Sequence, residues 1–268
     1  MADLIPIDDP DDPRVAAYRD IKERDLVGRQ GLFIAEGETV LRAFVRDAPE
    51  RVRSLLIDGK RADKLGEVFA GVPEGVPVYA AGQAVLDAIA GFHLHRGMLA
   101  VGEKPAPLSA ETLLARAGPR AVVLVLMGIA NHDNLGGIFR NAAAFGVDGV
   151  ILDGDCCDPF YRKAIRVSIG ATLSVSTAWL APGQDVVDLL ERHGFQGLAL
   201  SPAAGETLAR LDPPARAAVL LGAEGPGLSR SVMDRVRTVG IPMAGGFDSL
   251  NVATTSGIVL HHLKFARS

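Results

Sequence analysis

The sequence predicts an α/β protein in two parts, the second built on a mostly parallel sheet, and three observations carry that expectation. Its 268 residues suffice for one large domain or two ordinary ones, each with a real core. Strand-like and helix-like stretches alternate along most of the chain. The apolar runs, "AVVLVLMGIA" above all, are continuous rather than alternating, which is how strands covered on both faces read.

The elements follow in order. The acidic start "MADLIPIDDPDDP" is expected to fray. Val15, Tyr18 and Ile21 fall near helical spacing, "GLFIAEG" reads as a strand, "ETVLRAFVRDA" as a helix and "RSLLID" as a strand. The strands "VPVYAA" and "RGMLAVGE" flank a helix "QAVLDAIAG", completing a small α/β sandwich. Two prolines among small polar residues in "GEKPAPLSAET" mark a division near residue 105. The expected organisation is a first domain over 1–105, a linker and domain start over 106–120, and a second domain over 121–268. The second domain begins with the strand "AVVLVLMG" and a helix from about Leu135 to Phe145. The strand "GVILDG", a helix starting near Asp158, the helix "DVVDLLERHG" and the strands "GLALS" and "AVLLGAEG" come next. A helix "SRSVMDRV", the strand end "TVGIPM" and a final apolar helix close the chain.

Composition excludes several classes. The longest apolar run is about half a membrane span, so no membrane partner is expected. The amino terminus has neither a basic nor an apolar leader region, which points to the cytoplasm. Cys156 and Cys157 are neighbours, a placement that suits reduced structural thiols and offers no zinc site. His93 and His95 alternate on a strand without a third ligand, so no metal is expected. A net charge of −4 argues against coating nucleic acid by bulk charge. Nine Lys/Arg against seven Asp/Glu between Arg14 and Arg53, and Arg162, Lys163 and Arg166 in "YRKAIR", leave a local basic face open beside the plainer reading of solvated helix faces.

In an open parallel sheet, ligands bind outside the carboxyl ends of the strands, so three loops of the second domain carry the functional reading. In "GIANHDNLGGIFRNAAAFG", Asn134 is placed to cap a helix, and Arg140 lies inside it among apolar neighbours, where a guanidinium needs an anion or acceptors. In "LLGAEGPGLS", Gly222, Gly225 and Gly227 surround Glu224, a poor turn residue, directly after a strand. The spacing is neither a dinucleotide fingerprint nor a Walker loop. In "IPMAGGFDSLNVATTSGIVL", the glycines Gly245 and Gly246 and one polar cap account for a strand-to-helix joint, yet both Ser249 and Asn251 are present. The final helix has an apolar face of Val252, Val259, Leu260 and Leu263, and Lys264 and Arg267 suit its carboxyl end.

Taken together and in order, "NLGGIFRNA", "LGAEGPGLS" and "IPMAGGFDSLNVA" resemble the three motifs of the SpoU/TrmH branch of the SPOUT superfamily, the RNA ribose 2′-O-methyltransferases. The resemblance covers the second domain; the first is similar, more loosely, to the substrate-binding domain of the same branch, akin to RNA-binding ribosomal proteins. It implies S-adenosyl-L-methionine as methyl donor, a deep trefoil knot at the carboxyl end, a homodimer and an RNA substrate, ribosomal RNA before transfer RNA. Carried over residue by residue, Gly222, Ile241 and Leu250 would hold the cofactor, with Met243 and Val252 nearby. Arg140 would be the catalytic residue and Asn134 would hold it or the substrate. Glu224 would support that pair, and Ser249 and Asn251 would contact substrate or Arg140.

Two roles stay open for Arg140. As a base it would need strong desolvation to lose its proton; as a cation it would bind the target phosphate and stabilise the developing alkoxide. Asn141 stands where the family often has Ser or Thr, and "VATT" after Asn251 brings Thr254 and Thr255; both departures bear on substrate contacts. The alternatives are a tRNA methyltransferase, an RNA-binding protein of this fold without catalysis, and an unrelated nucleotide-using α/β enzyme, which the missing fingerprints disfavour.

Overall fold

A computed structural model describes residues 3–19, 30–94, 97–201, 203–245 and 249–266. Ile21, His95, Gly246 and Arg267 lie outside the described residues. The chain divides into two compact units, Met1–Ala106 with Asp158–Ser174, and Pro107–Cys157 with Val175–Ser268.

The first described element of the first unit is strand β1 (Leu4–Ile7), so the stretch expected to fray is ordered from Leu4 on. β1 pairs in parallel with the later strand Val78–Ala81 and buries Ile7, so the apolar "LIPI" outweighs the acidic run after it. A short 3-10 turn, Pro13–Tyr18, buries Val15 and Tyr18. Then come β2 (Leu32–Glu36), helix α1 (Glu38–Asp47), β3 (Val52–Asp58), the short α2 (Gly66–Ala70), β4 (Val78–Ala81), α3 (Gln83–Ala90) and β5 (Met98–Glu103). The sheet order is β1-β4-β3-β5-β2, with β5 antiparallel to both β3 and β2. Side chains alternate across it as strand geometry requires. Phe33, Ala35, Leu55 and Ile57 enter the core under α1, whereas Ile34 and Leu56 join Val15, Tyr18 and Leu86 on the other face.

The second unit begins with β6 (Leu108–Ser109) and α4 (Ala110–Arg116), capped by the Ser109 hydroxyl, so most of the stretch read as linker is ordered. β7 (Ala121–Met127), α5 (His132–Ala144) and β8 (Gly149–Leu152) follow. The chain then contributes Asp158–Ser174, with α6 (Arg162–Val167), to the first unit. Phe160, Ile165 and Leu173 sit in that unit's core, and the Phe160 ring lies 5.5 Å from Phe33. Burial of these apolar groups places the helix there, and neighbours in sequence give no sign of it. β9 (Thr177–Trp179), α7 (Val186–Arg192), β10 (Gln196–Leu200), β11 (Arg216–Gly222), the short α8 (Arg230–Met233), β12 (Arg237–Val239) and α9 (Val252–Phe265) complete the second unit. All seven strands run parallel in the order β12-β10-β11-β7-β8-β9-β6. β12 stops at Val239, before Ile241–Met243.

Other expectations resolve locally. Cys156 is a free thiol that donates to the Leu126 carbonyl at 3.3 Å, and burial pushes its pKa up to about 12. His93 pairs with Asp87 at 2.7 Å. Described arginines of the basic run in the first unit sit largely against acids: Arg42 on Glu38 at 3.0 Å, Arg46 on Asp47 at 2.7 Å, and Arg53 on Glu103.

Candidate active site

The parallel sheet has its topological switch at β7: the chain leaves β7 towards β8, while β11, β10 and β12 lie on the opposite side. Crevices form at the carboxyl ends of strands where order reverses in this way. A cavity of about 730 Å³ opens to the β11 side of this switch, at the carboxyl ends of β10 and β11. That volume lies within the range of sites for nucleoside-sized ligands.

Two of the three loops line this cavity directly. After β11 the backbone turns back on itself, with Gly225 and Gly227 in left-handed conformations at φ +85° and +68°. The Gly227 N–H donates to the Ala223 carbonyl at 2.9 Å, and a Cβ on Gly222 would run into the backbone of Gly227. Gly222 is therefore fixed by the loop that covers it. Glu224 and Gly222 line the cavity, together with Ile241, Met243, Ser249, Leu250, Asn251 and Val252. Leu250 is 42% exposed, a large apolar side chain facing open space rather than core.

The first loop reaches the others through Asn134. The helix cap is Asn131, three residues earlier than expected: its side chain accepts from the N–H groups of Asp133 and Asn134. That leaves the Asn134 side chain for tertiary contacts, and it is 6% exposed. Asn251 caps α9 by accepting from Ala253 and Thr254 N–H at 2.9 and 3.2 Å. With its oxygen so engaged, the Asn251 amide group donates to Asn134 Oδ1 at 2.8 Å. The Asn134 amide group in turn donates to Glu224 Oε1. Each donor and acceptor choice forces the next, so the hydrogen bonds run one way, from the α9 amino terminus through two asparagines to a carboxylate. The last of them is charge-assisted and strong.

Arg140 is placed differently. It is exposed on α5, and among the described residues no hydrogen bond or ion pair engages it. It lies six positions after Asn134, about 120° around a helix, so the two face apart. The apolar sequence around Arg140 suggested enclosure, but Ile138, Phe139 and Ala142 turn inward without it. Asn141 does turn inward: its amide donates to the Ala253 carbonyl at 2.7 Å and to Ser256 Oγ at 2.9 Å. These bonds join α5 to α9. The seven-residue spacing of Asn141 from Asn134, which puts both on one helix face, was the available signal. His261 and His262 point apart, His261 against Phe145 and Phe265, and His262 onto the Leu211 carbonyl at 2.9 Å.

The profile of the SpoU rRNA methylase family matches residues 121–261, the span that carries the cavity and all three loops. The chain belongs to the SpoU rRNA methylase family. As a member of that family it is a methyltransferase. An uncharacterised tRNA/rRNA methyltransferase of Mycobacterium tuberculosis is 40% identical over 97% of this chain and 91% of its own length. The 23S rRNA (guanosine-2′-O-)-methyltransferase RlmB of Salmonella typhimurium is 30% identical over 84% of this chain and 94% of its own. Among solved structures, an AdoMet-bound rRNA methyltransferase of Sinorhizobium meliloti superposes with a TM-score of 0.79 over 99% of both chains at 22% identity. An RNA 2′-O ribose methyltransferase superposes with a TM-score of 0.76 at 26% identity, over 97% of this chain and 98% of its own.

Proposed function

We propose that this SpoU family member methylates a ribose 2′-hydroxyl of structured RNA, ribosomal RNA in the first instance, with S-adenosyl-L-methionine as donor. The observation that carries the reading is the hydrogen-bonded series Asn251, Asn134, Glu224, which draws three loops distant in sequence to one cavity. RlmB, a 2′-O-methyltransferase of 23S rRNA, shares most of the chain's length and supports the substrate class.

The cavity fits the proposed donor by the chemistry of its walls. Ile241, Met243, Leu250 and Val252 offer apolar surface for a flat base and an aliphatic arm, and the Gly222–Gly225 turn offers backbone groups beside them. The bound donor supplies a methyl group activated on a sulfonium. The protein's own share is alignment, worth about 7–11 kcal/mol when geometry is good. Glu224, held by Asn134, presents a fixed acceptor to the cavity, and Ser249 presents a hydroxyl. A guanidinium matches phosphate oxygens with a planar fork of donors, so Arg140 is assigned the cationic role, clamping the target phosphate and stabilising the alkoxide.

Arg140 does not line the cavity of its own chain. Arg140 is exposed on α5, and on α9, the helix packed against it, Ile258 and Phe265 are 38% and 62% accessible. We assign this face to a homodimer that brings Arg140 of one copy to the cavity of the other. A trefoil knot at the carboxyl end and a cytoplasmic setting complete the reading.

The test is transfer of labelled methyl from S-adenosylmethionine to ribosomal RNA. Wild-type protein labels ribose 2′-oxygens, and Arg140→Ala and Glu224→Ala each abolish labelling. Co-refolding the two dead variants restores about a quarter of wild-type activity, because half the dimers are mixed and one of their two sites is whole. A wild-type protein that binds RNA without ever labelling it would sink the enzyme; no recovery in the mixture would sink the shared site.

A further inference from the structure

The loop that follows β8, residues 153–157, contributes nothing to the lining of the cavity. It is bonded instead to the segment by which β7 leads into α5. Asp153 Oδ1 accepts from three N–H groups: Gly128 at 3.0 Å, and Asp155 and Cys156, both at 3.1 Å. The last two fold the loop on itself, as an Asp side chain in a turn does, and the first reaches across to the end of β7. Cys156 Sγ accepts from the Ile129 N–H and donates to the Leu126 carbonyl, each at 3.3 Å. Burial holds the thiol protonated, so that donor is kept. The Cys157 N–H donates to the Ile129 carbonyl at 2.9 Å. Leu126, Gly128 and Ile129 are thus all gripped from the β8 side.

The gripped segment stands at the root of the amide series. In the sheet β7 lies between β8 and β11, so what Asp153 holds on one side meets the β11 loop on the other. Gly128, at φ +69°, packs so closely there that a Cβ on it would come within 3.2 Å of Ala223 Cβ. Ala223 is the residue before Glu224. Two residues beyond Ile129 comes Asn131, whose side chain caps α5, and Asn134 follows in the first turn of that helix. The placing of Gly128 and Ile129 therefore sets where both Asn134 and Glu224 start from. Without the Asp153 carboxylate, the Gly128 N–H loses its acceptor at a half-buried place and the segment is free to shift. Given the methyl-transfer reading of the cavity, on which this rests, we infer that Asp153, seconded by Cys156, is a positioning residue for the reaction: it fixes the end of β7 so that Asn134 meets Glu224.

Steady-state kinetics, calorimetry with S-adenosylhomocysteine and the side-chain amide resonances of Asn134 test it on the full chain. Asp153→Ala lowers kcat per folded molecule about tenfold or more, the scale of loss when reacting groups are misplaced by a fraction of an ångström or more. KM for S-adenosylmethionine and the affinity for S-adenosylhomocysteine stay at their wild-type values, because Ile241, Met243, Leu250 and Val252 come from other loops. Asp153→Asn, which keeps an acceptor oxygen in the same place, restores kcat. The Asn134 amide signals, set in the wild type by the bond to Glu224, move towards those of a free asparagine in Asp153→Ala and return in Asp153→Asn. Cys156→Ala, which spares the turn of the loop, shifts kcat and the signals the same way by less, and it decides the matter if Asp153→Ala does not fold. A lower melting temperature with kcat per folded molecule and the Asn134 signals unchanged overturns the positioning role, as does a loss in Asp153→Asn equal to that in Asp153→Ala. Absence of methyl transfer in the wild type would fall on the methyl-transfer reading alone, and the Asn134 signals would still judge the grip on β7.

Discussion

Two asparagines on one face of α5 bridge to the same helix α9, and they end in different places. Asn134 meets the Asn251 cap and passes the contact on to Glu224 at the cavity. Asn141, two turns later, meets the Ala253 carbonyl and the fully buried Ser256 hydroxyl, and the series stops there. Between them Gly137 lets the helices close up, since a Cβ there would approach Ala253 Cβ to 2.8 Å. One helix seam thus has an end that orients a carboxylate and a middle that only holds. Residue type and partner helix are shared, although Asn134 is buried and Asn141 half-buried, so what chiefly separates the two is the group at the far end of the hydrogen bonds.

The sharpest way to break this comparison is Asn134→Ala. Glu224 loses the donor that fixes it and Asn251 loses its acceptor, so the carboxylate is free to wander by an ångström or more. Misplacement on that scale costs about a hundredfold in rate. Methyl transfer per folded molecule is expected to fall by that factor, measured beside the melting temperature. A loss no greater than that of Asn141→Ala would mean that the two bridges do the same job.

Much of this was legible before any coordinates. The three glycine-bearing loops, their strand context and the residues that line the cavity stand out because backbone turns and strand ends leave marks in residue type. The direction of the amide series did not, because Asn131 and Asn134 are equally good caps by type and only the dihedral angles choose between them. Arg140 read as enclosed because its sequence neighbours are apolar, yet a helix turns neighbours to different faces. β1 was hidden by the acidic run that follows it, and α6 by its position between two strands of the other unit. Each of these depends on a long-range partner, β4 for the strand and Phe33 for the helix, that no local window contains.

Asn141→Ala sharpens the comparison from the other side. It removes two hydrogen bonds, but Ser256 Oγ still donates to the Ala253 carbonyl at 2.7 Å, so no buried polar atom of α9 is stranded. The cost is set at about 1–3 kcal/mol, two ordinary bonds and a small void. At roughly 2–4 °C per kcal/mol for a domain of this size, the melting temperature drops by several degrees. Activity of the folded fraction stays at the wild-type level. A rate loss that outruns the unfolding would show that the seam transmits its packing to Glu224.

The smallest effect on the folded chain belongs to the carboxyl end of the seam, where Phe265 leans on Phe145 at 6.2 Å and His261 at 5.6 Å while staying largely exposed. Phe265→Ala removes surface that is mostly wet, so the stability of the chain moves within about 0.5 kcal/mol. Self-association is another matter. If this end of the seam is where two copies meet, an exposed phenyl ring is the kind of anchor that dominates an interface, and its loss raises the dimer dissociation constant by about tenfold or more. Sedimentation across a dilution series separates the outcomes: weaker association at unchanged melting temperature places the contact between copies, while unchanged association assigns the ring to the monomer and removes α9's carboxyl end from the shared site.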